Sequence, residues 1–249
     1  MVAKAKARRG KAPVGRPAQI GLTRDRIVDA AIALIDEKGL AGFSMRELSR
    51  ALGVYPATIY WHVGNAKEYL FAEIAAAITS NLMTVDEMHA DWRETLRILF
   101  HRYRDAVGKH PNVAQLLGAE LKSNGPPNAP MVEIVLRTLK QAGYSGQPLV
   151  DAFNAVIGGL AGYVTMEFGP APPDGEGEWA QIMSERLDAL DVEAFPAIAE
   201  YMPLMRNKSF VLRWQNGSSV PLTGGYDCLI ESLIAGLEHR SPKRMSGDR

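Results

Sequence analysis

Cysteine is almost missing from this chain: Cys228 is the single one among 249 residues. One cysteine cannot close a disulfide within the chain or build a cysteine-rich zinc site, so both frameworks are excluded. Long apolar runs are missing too. No stretch reaches the roughly 18 uninterrupted apolar residues of a membrane span. No apolar run follows the first charges as it does in a signal peptide. The expectation is a soluble, cytoplasmic protein. Signatures of catalysis are equally scarce. There is no G-x-S-x-G nucleophile elbow. His89, His101 and His110 offer no pair at i, i+4 and have no cysteine nearby. Gly158-Gly159-Leu160-Ala161-Gly162 spaces its glycines wrongly for a phosphate loop. No catalytic residue, metal or cofactor is therefore expected, and the chain does not read as an enzyme.

Net charge is also lacking, because 28 basic residues balance 28 acidic ones. The zero hides an asymmetry. Residues 1–70 carry 12 Lys/Arg against 6 Asp/Glu, whereas residues 71–249 carry 16 against 22. A basic end on an acidic body fits a polyanion-binding module joined to something else; a solvated tail would give the same imbalance. A hydrophobic content of 47% is enough to build a real core.

Apolar periodicity then predicts an all-α protein. Residues 1–21 hold Lys4, Lys6, Arg8, Arg9, Lys11 and Arg16, no acid and hardly a large apolar group, which reads as a disordered arm. Thr23 is placed to cap a first helix, with Leu22 and Ile27 as a hydrophobic staple and Ile27, Ala31, Leu34 and Ile35 as its stripe. Gly39 ends it. Ser44-Met45-Arg46-Glu47 has the form of a capping box for a second helix, which stops at Gly53. Pro56 suits the first turn of a third helix with Ile59 and Val63 inward. Gly64 closes that one. Asn65-Ala66-Lys67-Glu68 has the form of another capping box, opening a longer fourth helix through Leu82. Further helices are predicted near 91–108, 112–121, 128–142, 148–168, 178–190 and 226–240. Turn-rich breaks fall at 123–127 and 169–175. Phe210–Trp214 followed by Gln215-Asn216-Gly217 has the pattern of a small hairpin with a type I′ turn.

Three short helices with a sharp turn before the last form a helix-turn-helix pattern. Burying Ile27, Leu34, Leu48 and Leu52 leaves the third helix free for a major groove. Its outward residues would be Tyr55, Ala57, Thr58, Tyr60 and His62, which offer hydroxyls, a methyl and ring nitrogens to phosphates and base edges. Trp61 is expected to pack beside Ile59 or at the domain edge. Ser44, with Arg46 beside it, caps a helix N-terminus suited to a backbone phosphate. Two readings of Gly15-Arg16-Pro17 stand open: an extended arm with Arg16 in the minor groove, or a solubilising tail.

The segment Gly53-Val54-Tyr55-Pro56-Ala57-Thr58-Ile59-Tyr60-Trp61-His62-Val63, with Gly39-Leu40 and Ser44-Met45-Arg46-Glu47-Leu48 before it, resembles the DNA-binding region of the TetR family over about residues 22–75. Trp61-His62-Val63 and Trp92-Arg93-Glu94-Thr95-Leu96 resemble its tetracycline-repressor branch. The resemblance implies an all-α homodimer in which a helical ligand-binding domain controls DNA affinity, with Thr58, Tyr60 and His62 at operator-contacting positions. Ala66 stands where a phosphate-binding lysine is common, and Lys67 is the substitute at hand. Leu99, Leu117 and Val135 align with the positions that hold tetracycline–magnesium, and none of them can chelate a metal. Enclosure of the ligand by the fifth to eighth helices, also implied, nominates Leu99, Tyr103, Leu117, Val135, Leu139, Asn154 and Ile157 as pocket residues; each alone fits a core position better than a ligand contact.

Dimerisation follows from operator geometry, since two recognition helices must lie about 34–36 Å apart to read successive grooves. Gly158 and Gly162 on the eighth helix permit close approach of another helix, which fits a dimer interface or a cavity wall. Tyr226, Ile230, Leu233 and Leu237 give the last helix a broad apolar face, which fits either a dimer interface or intramolecular core. The expected organisation is a basic arm (1–21), a helix-turn-helix domain (22–68), and a ligand-binding and dimerisation domain (69–249). The expected partners are an operator duplex, a small apolar or aromatic effector and a second copy, in a repressor. An activator on the same scaffold is the rival, and a helical ligand carrier or enzyme the more distant one.

Overall fold

The computed structural model describes residues 21–120, 128–170, 177–210 and 212–241, without the side chains of 118–120. The basic arm with Arg16 and the breaks at 123–127 and 171–175 lie outside the described residues. Eleven α-helices and no strand occur among those described.

The first three helices form where the local signals ask for them. Helix α1 (Arg24–Gly42) is capped by the Thr23 hydroxyl, which accepts from the Arg26 N–H at 3.2 Å. Its regular run breaks at Gly39, whose φ of 69° no β-carbon residue adopts cheaply. Helix α2 (Met45–Leu52) is capped by Ser44, which accepts from the Glu47 N–H, and ends at Gly53 in the left-handed region. The expected reciprocal half of that box is missing. Glu47 instead takes the Lys38 ammonium at 2.6 Å, because a charged donor outbids a backbone N–H. Helix α3 (Pro56–Val63) starts with proline in its first turn. Helix α4 (Lys67–Thr79) has Ala66 at its cap with no side-chain bond, so Asn65 does not form the second capping box.

Helix α5 (Trp92–Gly108) is capped by Asp91. A 3-10 turn (Pro111–Val113) leads into α6 (Ala114–Glu120), followed by α7 (Ala129–Gln141) and α8 (Gly146–Glu167). By length and composition α8 would pass for a membrane span. It buries Val156, Leu160 and Val164 in the protein core, and core helices share that composition. Helices α9 (Glu178–Asp188) and α10 (Pro196–Met205) form an excursion before α11 (Thr223–Arg240) returns to the body.

Two apolar cores result. The first joins Ile27, Ile35, Leu48, Ile59, Val63, Leu70 and Ile74 with Val113 and Leu116. The second joins α5, α7, α8 and α11 through Leu96, Phe100, Leu139, Val156, Leu160, Tyr226 and Ile230. Each large aliphatic side chain withdrawn from water stabilises its core by about 1.5–3 kcal/mol. Two helices serve both cores. Leu70 and Ile74 of α4 belong to the first, while Ala75 and Ile78 lean on the second. In α6 the division falls between neighbours: Leu116 lies in the first core and Leu117 in the second. Asn112 fixes this junction by donating to the carbonyls of Ile35 and Asp36 on α1, at 3.3 and 3.1 Å, and His110 Nδ1 lies 2.7 Å from the Asp36 carboxylate.

The expected hairpin around Asn216-Gly217 does not form. Asn216 turns its amide oxygen onto the Ser218 N–H, and the Gly217 N–H goes to the Glu167 carbonyl at 2.8 Å. Asn207, in the left-handed region at φ 57°, takes the N–H groups of Trp214 and Gln215 at 3.1 Å each. These local amide bonds supply the partners that a strand ladder would have supplied. The Glu167 side chain is fully buried, yet every demand on it is met. It receives Arg104 through two bonds of 2.8 and 2.7 Å and the Leu222 N–H at 2.8 Å, and so ties the end of α8 to α5 and to the start of α11.

Candidate DNA interface and sensor core

On α3 the inward pair is Ile59 and Val63, 0% and 1% exposed. The remaining positions face away from the first core or along its rim. Tyr55 is 83% exposed and Ala57 is exposed, while Thr58, Tyr60 and His62 are half-buried with α3 free on its outer side. Trp61 departs from expectation. It is 81% exposed and touches its neighbour His62 edge-on, ring centroids 4.8 Å apart. The reason is angular: two residues along a helix turn the side chain by about 200°, so a tryptophan two places after buried Ile59 must point outward. The sequence held that signal in the spacing itself.

Ser44 and Arg46 sit at the start of α2, Ser44 half-buried by its cap bond and Arg46 exposed. Lys67 is half-buried in another way. Its ammonium lies 4.6 Å from the Phe71 ring centre and 5.2 Å from that of Phe43, a cation–π seat on the edge of the first core.

The sensor candidates on α5, α6 and α7 come together. Leu99, Tyr103, Leu117, Val135 and Leu139 are all buried in the second core, and half-buried Ile157 packs against it from α8. Burial holds the Tyr103 phenol well above the usual tyrosine range. Asn154 does not join them. Helix α8 turns Ala152, Val156, Leu160 and Val164 inward at every fourth position, which leaves Asn154 exposed on the opposite face.

The face expected of α11 as a dimer interface is corrected in the same way. Tyr226, Ile230 and Leu237 are buried within their own chain, and the Tyr226 hydroxyl donates to the Phe100 carbonyl at 2.7 Å. Leu233 is half-buried and leans over Gly159, where an added β-carbon would lie 3.8 Å from its methyl. Tyr226, Ile230 and Leu237 fill the intramolecular alternative because α11 needs its apolar stripe to close the second core, and Leu233 lies at the margin of that stripe. Gly158 and Gly162 differ from Gly159: both are exposed, and a β-carbon on either would meet nothing within 4 Å. Sequence reasoning missed two elements here. Helix α10 gave no periodic stripe, and the Arg104–Glu167 pair spans 63 residues with no local signal.

Comparison with known proteins matches both halves. The family described as "Bacterial regulatory proteins, tetR family" matches residues 27–74, and "Tetracyclin repressor-like, C-terminal domain" matches 86–212. An HTH-type transcriptional regulator of Saccharopolyspora erythraea is 30% identical over 183 residues, 73% of this chain and 75% of that one. Among solved structures, the Streptomyces coelicolor TetR family protein ActR, in complex with (S)-DNPA, superposes with a TM-score of 0.68 at 19% identity, covering 89% of this chain and 99% of that one. BioQ with its double-stranded DNA operator gives 0.53 at 30% identity, covering 59% and 88%. With both of its halves matched, the chain belongs to the TetR family of DNA-binding transcriptional regulators and is not an enzyme.

Proposed function

We propose that the chain is a repressor that binds its operator as a homodimer and leaves it when a small apolar or aromatic effector enters the second core. Residues 22–68 read the duplex, residues 69–249 sense and dimerise, and the arm 1–21 with Arg16 adds phosphate or minor-groove contacts. The observation that carries this reading is the outer side of α3. A helix with Tyr55 and Trp61 more than four-fifths exposed and Thr58, Tyr60 and His62 at its rim presents hydrogen-bonding and methyl groups that its own fold leaves unused. BioQ, the relative solved on its operator, supports the same use of the N-terminal helices. Ser44 and Arg46 are assigned to the backbone at the start of α2, and Lys67 to a phosphate beside its aromatic seat.

The second copy is assigned to the outer faces of α8 and α11. Ala155, Gly158 and Gly162 on one, with Ser232, Ala235 and Gly236 on the other, are exposed and small, so helices of two chains can approach closely. The α9–α10 excursion adds exposed Phe195, Tyr201 and Leu204. Effector binding among Leu99, Leu117, Val135 and Leu139 moves α6 and α4, which also belong to the first core, and so changes the separation of the two α3 helices. The effector shifts DNA affinity only by its preference for one of these arrangements.

Selection from random duplexes followed by band-shift titration tests the reading. The expected outcome is a two-fold symmetric site bound by a dimer, with affinity lost when Thr58, Tyr60 and His62 are changed together to Ala while the helical signal persists. No enriched sequence, or an unchanged affinity in the triple variant, would refute it. An activator on the same scaffold passes this test and is told apart by a reporter gene, whose expression would fall rather than rise on deletion of the regulator.

A further inference from the structure

Helix α3, Pro56–Val63, contains no arginine, lysine, asparagine, glutamine, aspartate or glutamate. Those are the side chains that single out a base by charge or paired hydrogen bonds: the basic ones at guanine, the amides at adenine, the acids at cytosine. A lone hydroxyl, such as that of Thr58 or Tyr60, is satisfied by more than one base. His62 lies in the last turn, away from the leading end that reaches base edges in a recognition helix. That leading end is Pro56, Ala57 and Thr58, the first two exposed and the third half-buried. Pro56 brings ring methylenes and has no backbone N–H to donate. Ala57 brings a methyl. Thr58 brings another, and its own N–H is taken by the Tyr55 carbonyl at 2.9 Å. The surface offered to the bases is therefore largely carbon.

We infer that α3 recognises its half-site by thymine methyl groups packed against Pro56, Ala57 and Thr58, so that the base pairs under its leading end are A·T. The assignment rests on α3 being the helix that enters the groove. Among the four bases thymine alone carries a methyl into the major groove. A guanine or cytosine in the same place would set its polar edge against carbon and lose its hydrogen bonds to water. Arg46 at the start of α2 and Lys67 at the start of α4 hold phosphates, which fix the position of α3 without reading sequence.

Deoxyuridine in place of thymidine tests this, because it pairs with adenine in the same way and lacks only the methyl. The duplex enriched by selection is resynthesised with each thymine of a half-site replaced in turn, and affinity for the full chain is read by band shift. At one or more thymines in each half-site the affinity should fall about fourfold, the worth of one buried methyl group. Thr58→Ser keeps the hydroxyl and drops the methyl, and Ala57→Gly drops the other. At least one of these variants should bind thymine and uracil duplexes alike at a position where the wild type distinguishes them. The wild-type measurement stands by itself should a variant fold poorly. Undiminished wild-type affinity with every thymine replaced overturns the inference and leaves the regulator standing. So do enriched half-sites that contain no thymine, or two folded variants that keep the full preference at every position. If selection enriches no sequence, the DNA-reading role of α3 itself falls, and the inference with it.

Discussion

The two cores treat tyrosine and tryptophan in opposite ways. Around the first, Tyr55 and Trp61 stand in solvent; in the second, Tyr103, Tyr144 and Tyr226 are all less than a tenth exposed. Helices α2 and α3, of eight residues each, leave Tyr55 and Trp61 outside the packing, whereas the helices behind them enclose their tyrosines. The polar interior differs as well. The second core contains a fully buried carboxylate, Glu167, while the buried polar side chain at the first is Ser49, which donates to the Arg46 carbonyl one turn back. One region leaves large side chains in solvent, and the other encloses them among its own helices.

The largest test of that contrast is Glu167→Ala. It leaves Arg104, whose side chain is 14% exposed, without its carboxylate. Removing one partner of a buried pair costs about 3–5 kcal/mol, to be read as a lower midpoint in urea. Next come two substitutions two residues apart on α3. Ile59→Ala should cost about 2–5 kcal/mol in unfolding free energy, as for any buried aliphatic truncation. Trp61→Ala should change stability by less than about 0.5 kcal/mol and instead weaken duplex binding in a band shift. A Trp61 variant that melts early would erase the distinction between the two regions.

A smaller effect is expected where the regions meet. Asn112→Ala removes the donor to Ile35 and Asp36 and should cost about 1 kcal/mol. Its sharper readout is the effector-induced change in operator affinity, which should shrink while operator affinity alone is kept. The smallest effect is acid sensitivity. The bond from the Lys38 ammonium holds Glu47 below the ordinary glutamate value of 4.5, and the Thr84 N–H, with Arg102, does the same for Glu87. A carboxylate depressed on folding stabilises fully above its unfolded value, and that share disappears as pH falls through the folded one. Melting temperature should therefore drop slightly below pH 4.5, and less so in Lys38→Met, which has already lost the Glu47 share.

The same contrast decides what could be read from sequence. Helices α1 to α3 are governed by residues within four positions of one another: Thr23 and Ser44 at caps, Gly53 in a left-handed turn, Pro56 in a first turn. The outward positions of α3 are legible for that reason, and Trp61 departs because its place on the helix outweighs its apolar character. The second core is assembled from distant parts. A stripe such as Tyr226, Ile230 and Leu237 says that a helix buries one face but not against which chain. Asn154 was assigned by helix rather than by angle, and the loop from 206 to 222 follows bonds to Asn207 and Glu167 that no short window contains.

Consecutive residues of α6 facing different cores have a practical consequence for anyone recombining such regulators. A chimera joined after α4 would transplant Val113 and Leu116 from one parent into the helix-turn-helix packing of the other. Its reading head would loosen although every residue of α1 to α3 was native. A working hybrid must carry those two positions, with Asn112, along with the head they complete. The border between head and sensor is therefore a set of scattered side chains that no single cut in the gene can follow.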